Sequence, residues 1–281
     1  MSALADAVGA TLGRRVTDLR RVGGGSINEA YAVALDGGDR AFVKTRDGAA
    51  PGEFATEAAG LRWLAEPGAV AVPDVLGAGE DPPFLALEWI EPGTLDDRGA
   101  EELGRGLAAL HAAGAPAFGA EREWRVGALS LPNAPLETWG HFYAEHRLAP
   151  LASRAGLSAS GRAAVERVCA HIDELAGPAE PPARLHGDLW GGNVMAGADG
   201  RARLIDPAAY GGHREVDLAM LRLFGSPGGE RVFDAYAESA PLADGHERRV
   251  GLWQLFPMLV HAVLFGGSYV GRAEQLARDY A

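Results

Sequence analysis

Apolar and polar positions alternate in short runs over the first ninety residues, and this period of two is typical of β-strands. Five such runs are present, at Val16–Val22, Tyr31–Leu35, Ala41–Lys44, Pro73–Gly79 and Phe84–Ile90. Residues 53–66 instead carry their apolar side chains at helical spacing. We therefore expect a five-stranded antiparallel sheet with a helix packed against it.

The apolar period lengthens to that of helices after residue 90. Amphipathic stretches cover residues 95–113, 136–151 and 158–176, and the most apolar stretch covers residues 252–270. Pro257 and the pair Gly266-Gly267 interrupt that last stretch, which favours buried helices over a membrane span. The pattern predicts an α+β protein with a small lobe at residues 1–90 and a larger, mostly helical lobe at residues 91–281.

Residues 114–135 are rich in proline, glycine and alanine and are predicted to form a long loop. Long loops within compact domains often carry function. We expect contacts with a substrate here, and Trp124 is a candidate for one of them.

Polar residues whose side chains can take part in catalysis or metal binding are concentrated in residues 184–217. Asp188 follows His186-Gly187, Asn193 stands five positions later, and Asp206 stands thirteen positions after Asn193. Apolar residues flank the turn sequence Ala198-Asp199-Gly200, so the interval is predicted to be a β-hairpin. Such a hairpin returns Asp206 to the neighbourhood of Asp188 and Asn193.

Two carboxylates and an amide oxygen that converge in this way suit phosphoryl transfer from a nucleoside triphosphate. Asn193 and Asp206 offer hard oxygen ligands for Mg²⁺, which takes its other ligands from phosphates and water. Asp188 is then left to orient an acceptor hydroxyl and to receive its proton. Each fragment alone is compatible with an ordinary turn or strand end, but their combination at this spacing favours catalysis.

The motif His-Gly-Asp-Leu-Trp-Gly-Gly-Asn, followed by Ile-Asp-Pro and Gly-His-Arg-Glu-Val-Asp, resembles the fructosamine kinase (ketosamine-3-kinase) family. That family belongs to the small-molecule kinases of protein-kinase-like fold, together with the aminoglycoside phosphotransferases. The resemblance implies a two-lobed protein-kinase-like fold, ATP and Mg²⁺ as cofactors, and a ketosamine, free or protein-bound, as the acceptor.

A glycine run between the first two predicted strands is expected to bind phosphates through its backbone N–H groups. It contains Gly24, Gly25 and Ser26, but Asn28 occupies the place of the third glycine of a Gly-x-Gly-x-x-Gly loop. Lys44 ends the third predicted strand, where its ammonium group can hold phosphate oxygens in the cleft.

Two further nucleotide contacts are implied by the kinase-like fold. The match Phe-x-x-Glu-x-x-Gly-Leu assigns Glu57 as the acid that pairs with Lys44, and Glu53 remains the alternative. The stretch Glu88-Trp89-Ile90-Glu91-Pro92-Gly93, which begins at the end of the fifth strand, is expected to be the hinge between the lobes. Glu88 and Ile90 are nominated there as adenine contacts, by position alone.

Acceptor contacts are expected close to the catalytic motif. Trp190 could line the acceptor site or belong to the core, and His213 and Arg214 could contact substrate or phosphate. His186 is expected to brace the catalytic loop, and Asp217, at a predicted helix start, is expected to anchor that loop.

Charge and cysteine content narrow the possible partners. Lys and Arg number 26 and Asp and Glu 38, so the net charge is −12, which argues against nucleic acid and is compatible with an amine-bearing substrate. The single cysteine, Cys169, favours a core position in a reducing compartment, and no signal peptide is indicated at the N-terminus. We expect a cytoplasmic protein with no membrane partner.

Two alternatives remain open at this point. One is another hydroxyl kinase of the same fold, acting on an aminoglycoside, choline or another small metabolite. The other is a nucleotide-binding module without catalysis, against which the presence of Lys44, Asp188, Asn193 and Asp206 in one chain argues.

Overall fold

A five-stranded antiparallel sheet is formed by the first part of the chain, in the spatial order β1-β2-β3-β5-β4. Its strands are β1 (Val16–Val22), β2 (Glu29–Leu35), β3 (Arg40–Thr45), β4 (Val75–Glu80) and β5 (Pro83–Glu88). The computed structural model describes residues 3–23, 28–126 and 129–281. The predicted α+β class and the predicted sheet are confirmed.

The two faces of this sheet are covered by different helices, α1 (Ala3–Leu12) and α2 (Glu53–Ala65). Ala41 and Val43 of β3 pack in one cluster with Val8 of α1. Because successive side chains of a strand point to opposite faces, Phe42 and Lys44 lie on the face that α2 covers. The period of β3 therefore directs the Lys44 ammonium group toward α2.

The rest of the chain is mostly helical, as predicted. Its helices are α3 (Asp97–Ala112), α4 (Trp139–Phe142), α5 (Ala149–Ala152), α6 (Ala159–Ala170), α7 (Ile172–Leu175), α8 (Glu215–Leu223), α9 (Glu230–Ser239), α10 (His246–Phe265) and α11 (Ser268–Asp279). A π-helical segment, Tyr143–Leu148, joins α4 to α5, so the helix predicted over residues 136–151 begins later than expected and has an irregular centre.

Helix α10 continues through Pro257, although proline lacks the N–H group of a regular helical turn. The buried Tyr143 hydroxyl donates a hydrogen bond to the Leu252 main-chain oxygen at 2.9 Å and lies 3.4 Å from that of Trp253. Trp253 is the residue whose carbonyl the missing N–H group would have reached. Within the described ranges, neither α10 nor any other helix has the length and apolar character needed to cross a membrane.

In the part of the chain that the structure describes, three two-stranded sheets complete the architecture. The pair β9 (Val194–Ala196) and β10 (Ala202–Leu204) is the predicted hairpin, and β8 (Ala183–Leu185) pairs with β11 (Tyr210–Gly212). The third pair, β6 (Trp124–Val126) and β7 (Leu129–Leu131), lies inside the stretch predicted to be a loop. That loop prediction was therefore wrong at its centre, where the alternation in Trp-Arg-Val and Leu-Ser-Leu forms a short ladder.

Candidate active site

The segment between β8 and β9, residues 186–193, is held by the strands on either side of it. Gly187 has a φ of 80°, and a Cβ atom there would lie 2.1 Å from the Ala208 main-chain oxygen, so only glycine fits. The His186 Nε2 atom donates to the main-chain oxygen of Ile205 at 3.0 Å. The segment is thereby fastened to the one that carries Asp206.

Asp217, in the first turn of α8, anchors the same segment through its side chain. Its buried carboxylate accepts hydrogen bonds from the backbone N–H groups of His186 at 2.7 Å and of Gly187 at 3.0 Å. The His111 Nε2 atom lies 3.4 Å from it, and the His111 Nδ1 atom lies 2.8 Å from the Tyr236 hydroxyl. A buried carboxylate that accepts several hydrogen bonds from fixed donors holds the backbone in place.

Asp188 follows directly and is positioned by Asn193. The Asn193 Nδ2 atom donates to the Asp188 main-chain oxygen at 2.8 Å and to its Oδ2 atom at 3.0 Å. Burial raises the pKa of the Asp188 carboxyl from 3.8 to about 7; the bond from Asn193 opposes this rise, and Asp206 and Asp217 add to it. A carboxyl with a pKa near neutrality is suited to exchange a proton with a hydroxyl group.

Asp206 has a φ of 53°, the left-handed conformation that aspartate tolerates better than most residues. Among the described residues it is the one non-glycine residue with positive φ. The N–H group of the preceding residue, Ile205, donates to the Asn193 main-chain oxygen at 3.0 Å. This bond joins the segment that carries Asp206 to Asn193. Backbone conformation and hairpin pairing together bring the Asp206 carboxylate to Lys44.

Lys44 is buried between two carboxylates. Its Nζ atom lies 2.5 Å from the Glu57 Oε1 atom and 2.7 Å from the Asp206 Oδ1 atom. Burial alone would lower the pKa of Lys44, but the two carboxylates outweigh it and hold that pKa above its ordinary value. Glu53, the alternative partner from sequence, pairs instead with Arg46 at 2.5 Å.

The charged and amide groups around Asp188 and Lys44 line one cavity of about 1180 Å³ between the five-stranded sheet and the helical part. Lys44, Glu57, Asp188, Asn193 and Asp206 contribute to its wall. The structure thus brings together side chains that are up to 162 positions apart in the chain. The volume is that of a site for small molecules or cofactors.

One end of the cavity is formed by the last residue of β5, Glu88, and the residues that follow it, among them the nominated Ile90. Both residues line the cavity. The Glu88 side chain is exposed and lies 3.3 Å from the Asp74 N–H group, which donates to it. Within the described ranges no backbone hydrogen bond is recorded for the Ile90 N–H group. Ile90 is therefore a cavity-lining residue whose N–H group has no backbone partner among the described residues.

The opposite end of the cavity is aromatic and was not predicted. The residues there that the sequence did not single out are Phe224, Phe256, His261, Phe265 and Tyr269, from the end of α8 and from α10 and α11. Trp124, a candidate in the sequence, also lines this wall and packs edge-on against Phe256, with 5.3 Å between ring centroids. The sequence did contain a signal for this wall, because residues 252–270 carry more apolar side chains than one buried helix face requires.

Trp190 belongs to the segment of residues 186–193 and contacts this aromatic end, with 6.1 Å between its ring centroid and that of Phe224. Its indole is 39% exposed and lines the cavity. It covers the backbone of Gly192, where an added Cβ atom would lie 2.2 Å from the ring. The glycine in the Trp-Gly-Gly sequence therefore serves to let the indole lie flat over the chain.

Three predicted residues lie outside the described part of the chain, and two lie outside the cavity. Gly24, Gly25 and Ser26 fall within residues 24–27, which the structure does not describe. His213 is buried and stacks on Trp253 with 5.2 Å between centroids, and Arg214 forms a two-pronged ion pair with Glu180 at 2.8 Å. Neither His213 nor Arg214 is among the residues that line the cavity.

The donor set at the centre of the cavity fits a magnesium ion that shares phosphate ligands. Asn193 uses Nδ2 for its hydrogen bonds to Asp188, which leaves Oδ1 available, and the Asp206 side chain is half exposed. Within residues 3–23, 28–126 and 129–281, no group of three or more His, Cys, Asp or Glu side chains is placed to hold a metal ion by itself. Mg²⁺ commonly takes one or two protein oxygens and completes its shell with phosphate and water.

Comparison with known proteins gives a consistent result over the whole chain. The sequence matches the profile of the family described as "Fructosamine kinase" over residues 1–281. It is 36% identical over 270 residues to a candidate ketoamine kinase of Synechocystis, covering 94% of this chain and 90% of that protein. It is 34% identical over 276 residues to the chloroplastic protein-ribulosamine 3-kinase of Arabidopsis thaliana, covering 95% and 83%.

Solved structures agree with these relatives. A candidate fructosamine-3-kinase of Thermobifida fusca is 44% identical and superposes with a TM-score of 0.92, covering 99% of this chain and 98% of that one. The choline kinase LicA of Streptococcus pneumoniae is 16% identical, with a TM-score of 0.65 over 99% and 97% of the two chains. This second likeness shows the fold alone, that of the protein-kinase-like small-molecule kinases.

Proposed function

Because the chain belongs to the fructosamine kinase family and is a phosphotransferase, we propose that it transfers the γ-phosphoryl group of ATP to a sugar hydroxyl of a ketosamine. The observation that supports this most directly is the single cavity that joins Lys44 and Glu57 to Asp188, Asn193 and Asp206. Phosphoryl transfer is catalysed mostly by positioning and by electrostatic stabilisation, and this cavity supplies fixed charges of both signs.

The triphosphate is proposed to lie between the hinge and Asp206. The hinge at Glu88 and Ile90 binds the base through main-chain groups, and Gly24, Gly25 and Ser26 are expected to contact the phosphates. Lys44, held by Glu57, binds phosphate oxygens as a point charge. In this arrangement the sheet domain of residues 1–90 is the nucleotide-binding lobe, and residues 91–281 form the catalytic lobe.

Asn193 and Asp206 are proposed to hold Mg²⁺, which supplies neutralisation of charge on the transferred phosphoryl group when it is bound. The Lys44 ammonium group lies 2.7 Å from Asp206 and is positioned to turn from this carboxylate to a phosphate. Asn193 would keep its amide hydrogens on Asp188, and its Oδ1 atom would remain to bind the ion.

Asp188 is proposed as the base that orients the 3-hydroxyl of the sugar and takes its proton. Its carboxylate is fixed by Asn193, and the loop that carries it is fixed by Asp217. A pKa of about 7 places the group where it accepts a proton during transfer and returns it to solvent afterwards. Trp190, next to it on the cavity wall, is proposed to cover the sugar.

A reducing compartment such as the cytoplasm is part of the proposal. Cys169 is half-buried, and burial raises the pKa of its thiol to about 11, so it remains a protonated packing residue at neutral pH.

The test is incubation of the purified protein with ATP, Mg²⁺ and fructosyl-lysine, followed by mass analysis of the amine product. We expect one added phosphate, and ADP released in equal amount. Asp188→Asn should lose at least about a hundredfold in turnover and still bind ATP, because the base acts on the acceptor. A product without phosphate, or full turnover by the variant, would contradict the proposal. Choline and an aminoglycoside serve as acceptor controls.

A further inference from the structure

An unbroken run of aromatic rings extends along the cavity wall from Trp190 to the exposed ring of Phe265. Four of these rings, Phe224, His261, Phe265 and Tyr269, are named the aromatic rim here. Trp190 lies 6.1 Å from Phe224 between centroids, and Phe224 lies 5.3 Å from His261. His261 in turn lies 5.6 Å from Phe265 and 5.0 Å from Tyr269.

The rim is exposed to a degree that folding alone does not favour. Phe265 is 63% exposed and Phe224 is 47% exposed, although both line the same cavity as Asp188. Burying a phenylalanine side chain stabilises a fold, so two exposed phenylalanines in one concave wall leave apolar area open to a ligand. Phe256, Pro257 and Val260 of α10 continue this apolar wall, because they line the same cavity.

A hydrogen-bond acceptor stands in the middle of the rim. The His261 Nδ1 atom lies 2.7 Å from the Pro257 main-chain oxygen, which can only accept, so Nδ1 carries the proton. In the neutral ring Nε2 is then an acceptor, and no hydrogen bond to it is recorded within the described ranges. The rim therefore presents aromatic faces and one nitrogen lone pair.

We infer that the aromatic rim binds the amine side of the acceptor, that is, the protonated amine and the apolar substituent attached to it. This inference rests on the proposed function, in which the sugar lies between Asp188 and Trp190. The substituent must then leave the sugar on the side of Phe224, because Trp190 and Phe224 are in contact.

The chemistry of a ketosamine matches what the rim offers. Its secondary amine is protonated at neutral pH, and cations are attracted to the faces of aromatic rings. An ammonium N–H group can also donate to the His261 Nε2 atom. An alkyl or aromatic substituent would cover Phe265 and Tyr269.

The open position of Phe265 decides how large the substituent can be. Because this ring is 63% exposed, the substituent reaches solvent beside it and can continue into a longer chain. The class of acceptor that fits is a ketosamine on an aromatic or long aliphatic amine, which includes the side chain of a glycated lysine. A ketosamine of methylamine would place only its ammonium group at the rim and leave Phe265 and Tyr269 uncovered, and the free sugar would not reach the rim.

The test compares two acceptors, N-fructosyl-benzylamine and N-fructosyl-methylamine, in the wild type and in Phe265→Ala. The wild type should show a KM about fivefold or more lower for the benzyl compound, with similar kcat. Phe265→Ala should remove most of that difference by raising the KM for the benzyl compound alone. Leu76→Ala is the matched control, since Leu76 is 42% exposed on β4 and does not line the cavity.

The outcomes separate this inference from the proposed function. Turnover of both acceptors with equal KM in the wild type, or an equal KM change for both in Phe265→Ala, would overturn the rim assignment and leave the kinase assignment standing. An effect of Leu76→Ala as large as that of Phe265→Ala would also overturn it. Absence of phosphate transfer to either acceptor would overturn the proposed function and the inference with it.

Discussion

Asn193 holds Asp188 at two points, through the main-chain oxygen at 2.8 Å and the carboxylate oxygen at 3.0 Å. The same amide donates both bonds, so its oxygen remains for a second task. One residue thus joins the proposed metal site to the proposed base. Their positions are coupled because neither can shift without moving the Asn193 side chain.

Asn193→Ala should therefore impair two steps at once. We expect kcat to fall about a hundredfold, since Asp188 loses its fixed orientation, and the apparent Kd for Mg²⁺ to rise about tenfold or more. Steady-state kinetics across a magnesium titration measures both effects. A variant whose turnover is restored completely by excess Mg²⁺ would show that Asn193 does not position Asp188.

The raised pKa of Asp188 predicts a pH dependence of stability in the ligand-free, metal-free protein. Burial raises that pKa from 3.8 to about 7, so between these values the folded state binds a proton that the unfolded chain has released. The contribution of this group to the free energy of unfolding therefore falls as pH rises from about 4 to about 7. Above pH 7 the destabilisation is complete.

Asp188→Asn should remove this term while keeping an oxygen for Asn193. The variant should be more stable than the wild type by about 2 kcal/mol at pH 8, after allowance for partial solvent access, and the difference should shrink toward pH 4. Urea unfolding at a series of pH values gives the comparison. A difference that is independent of pH would mean that Asp188 ionises normally.

Glu57→Gln should weaken the use of ATP. The glutamine cannot balance the buried Lys44 charge, so Lys44 is left with Asp206 as its remaining carboxylate partner. We expect kcat/KM for ATP to fall about 10- to 100-fold, with little change in the KM for the acceptor. Glu53→Gln is the control, because Glu53 pairs with Arg46. Equal losses in the two variants would contradict the assignment of Glu57.

Arg249→Met should destabilise the protein far more than Arg248→Met. Arg249 forms a buried two-pronged pair with Glu215, to which the Trp253 Nε1 atom also donates at 2.8 Å, whereas Arg248 is exposed. Although burial opposes ionisation of Glu215, the bonds from Arg249 and Trp253 lower its pKa. Removing Arg249 leaves the Glu215 carboxylate buried without its cation, which should lower the free energy of unfolding by about 3–5 kcal/mol. Thermal unfolding of both variants measures the difference, and equal midpoints would refute the prediction.

The residues at the centre of the site could be predicted from the sequence, because local patterns determine their positions. The turn at Ala198-Asp199-Gly200 sets the hairpin that returns Asp206 to Asn193, and the period of β3 sends Lys44 to the face that α2 covers. The Lys44 partner predicted by alignment, Glu57, is also the one the structure pairs with it. Short-range geometry carries these relationships across long sequence separations.

The aromatic rim could not be predicted from the sequence in the same way. Phe224 and Phe265 come from different helices, and their exposure depends on how α8, α10 and α11 pack, which no local pattern encodes. His213 shows the converse limit, because it stands seven positions after Asp206 yet turns inward to stack on Trp253. Proximity in the chain suggested a contact with substrate or phosphate, but tertiary packing buries the His213 side chain outside the cavity.

The indole of Trp190 over the backbone of Gly192 makes these two positions dependent on each other. A side chain at 192 fits only if the indole moves away from the backbone, whereas a smaller residue at 190 would lift that restriction. Substitutions at the two positions are therefore coupled, and larger residues at 192 should be better tolerated once Trp190 is replaced by a smaller residue.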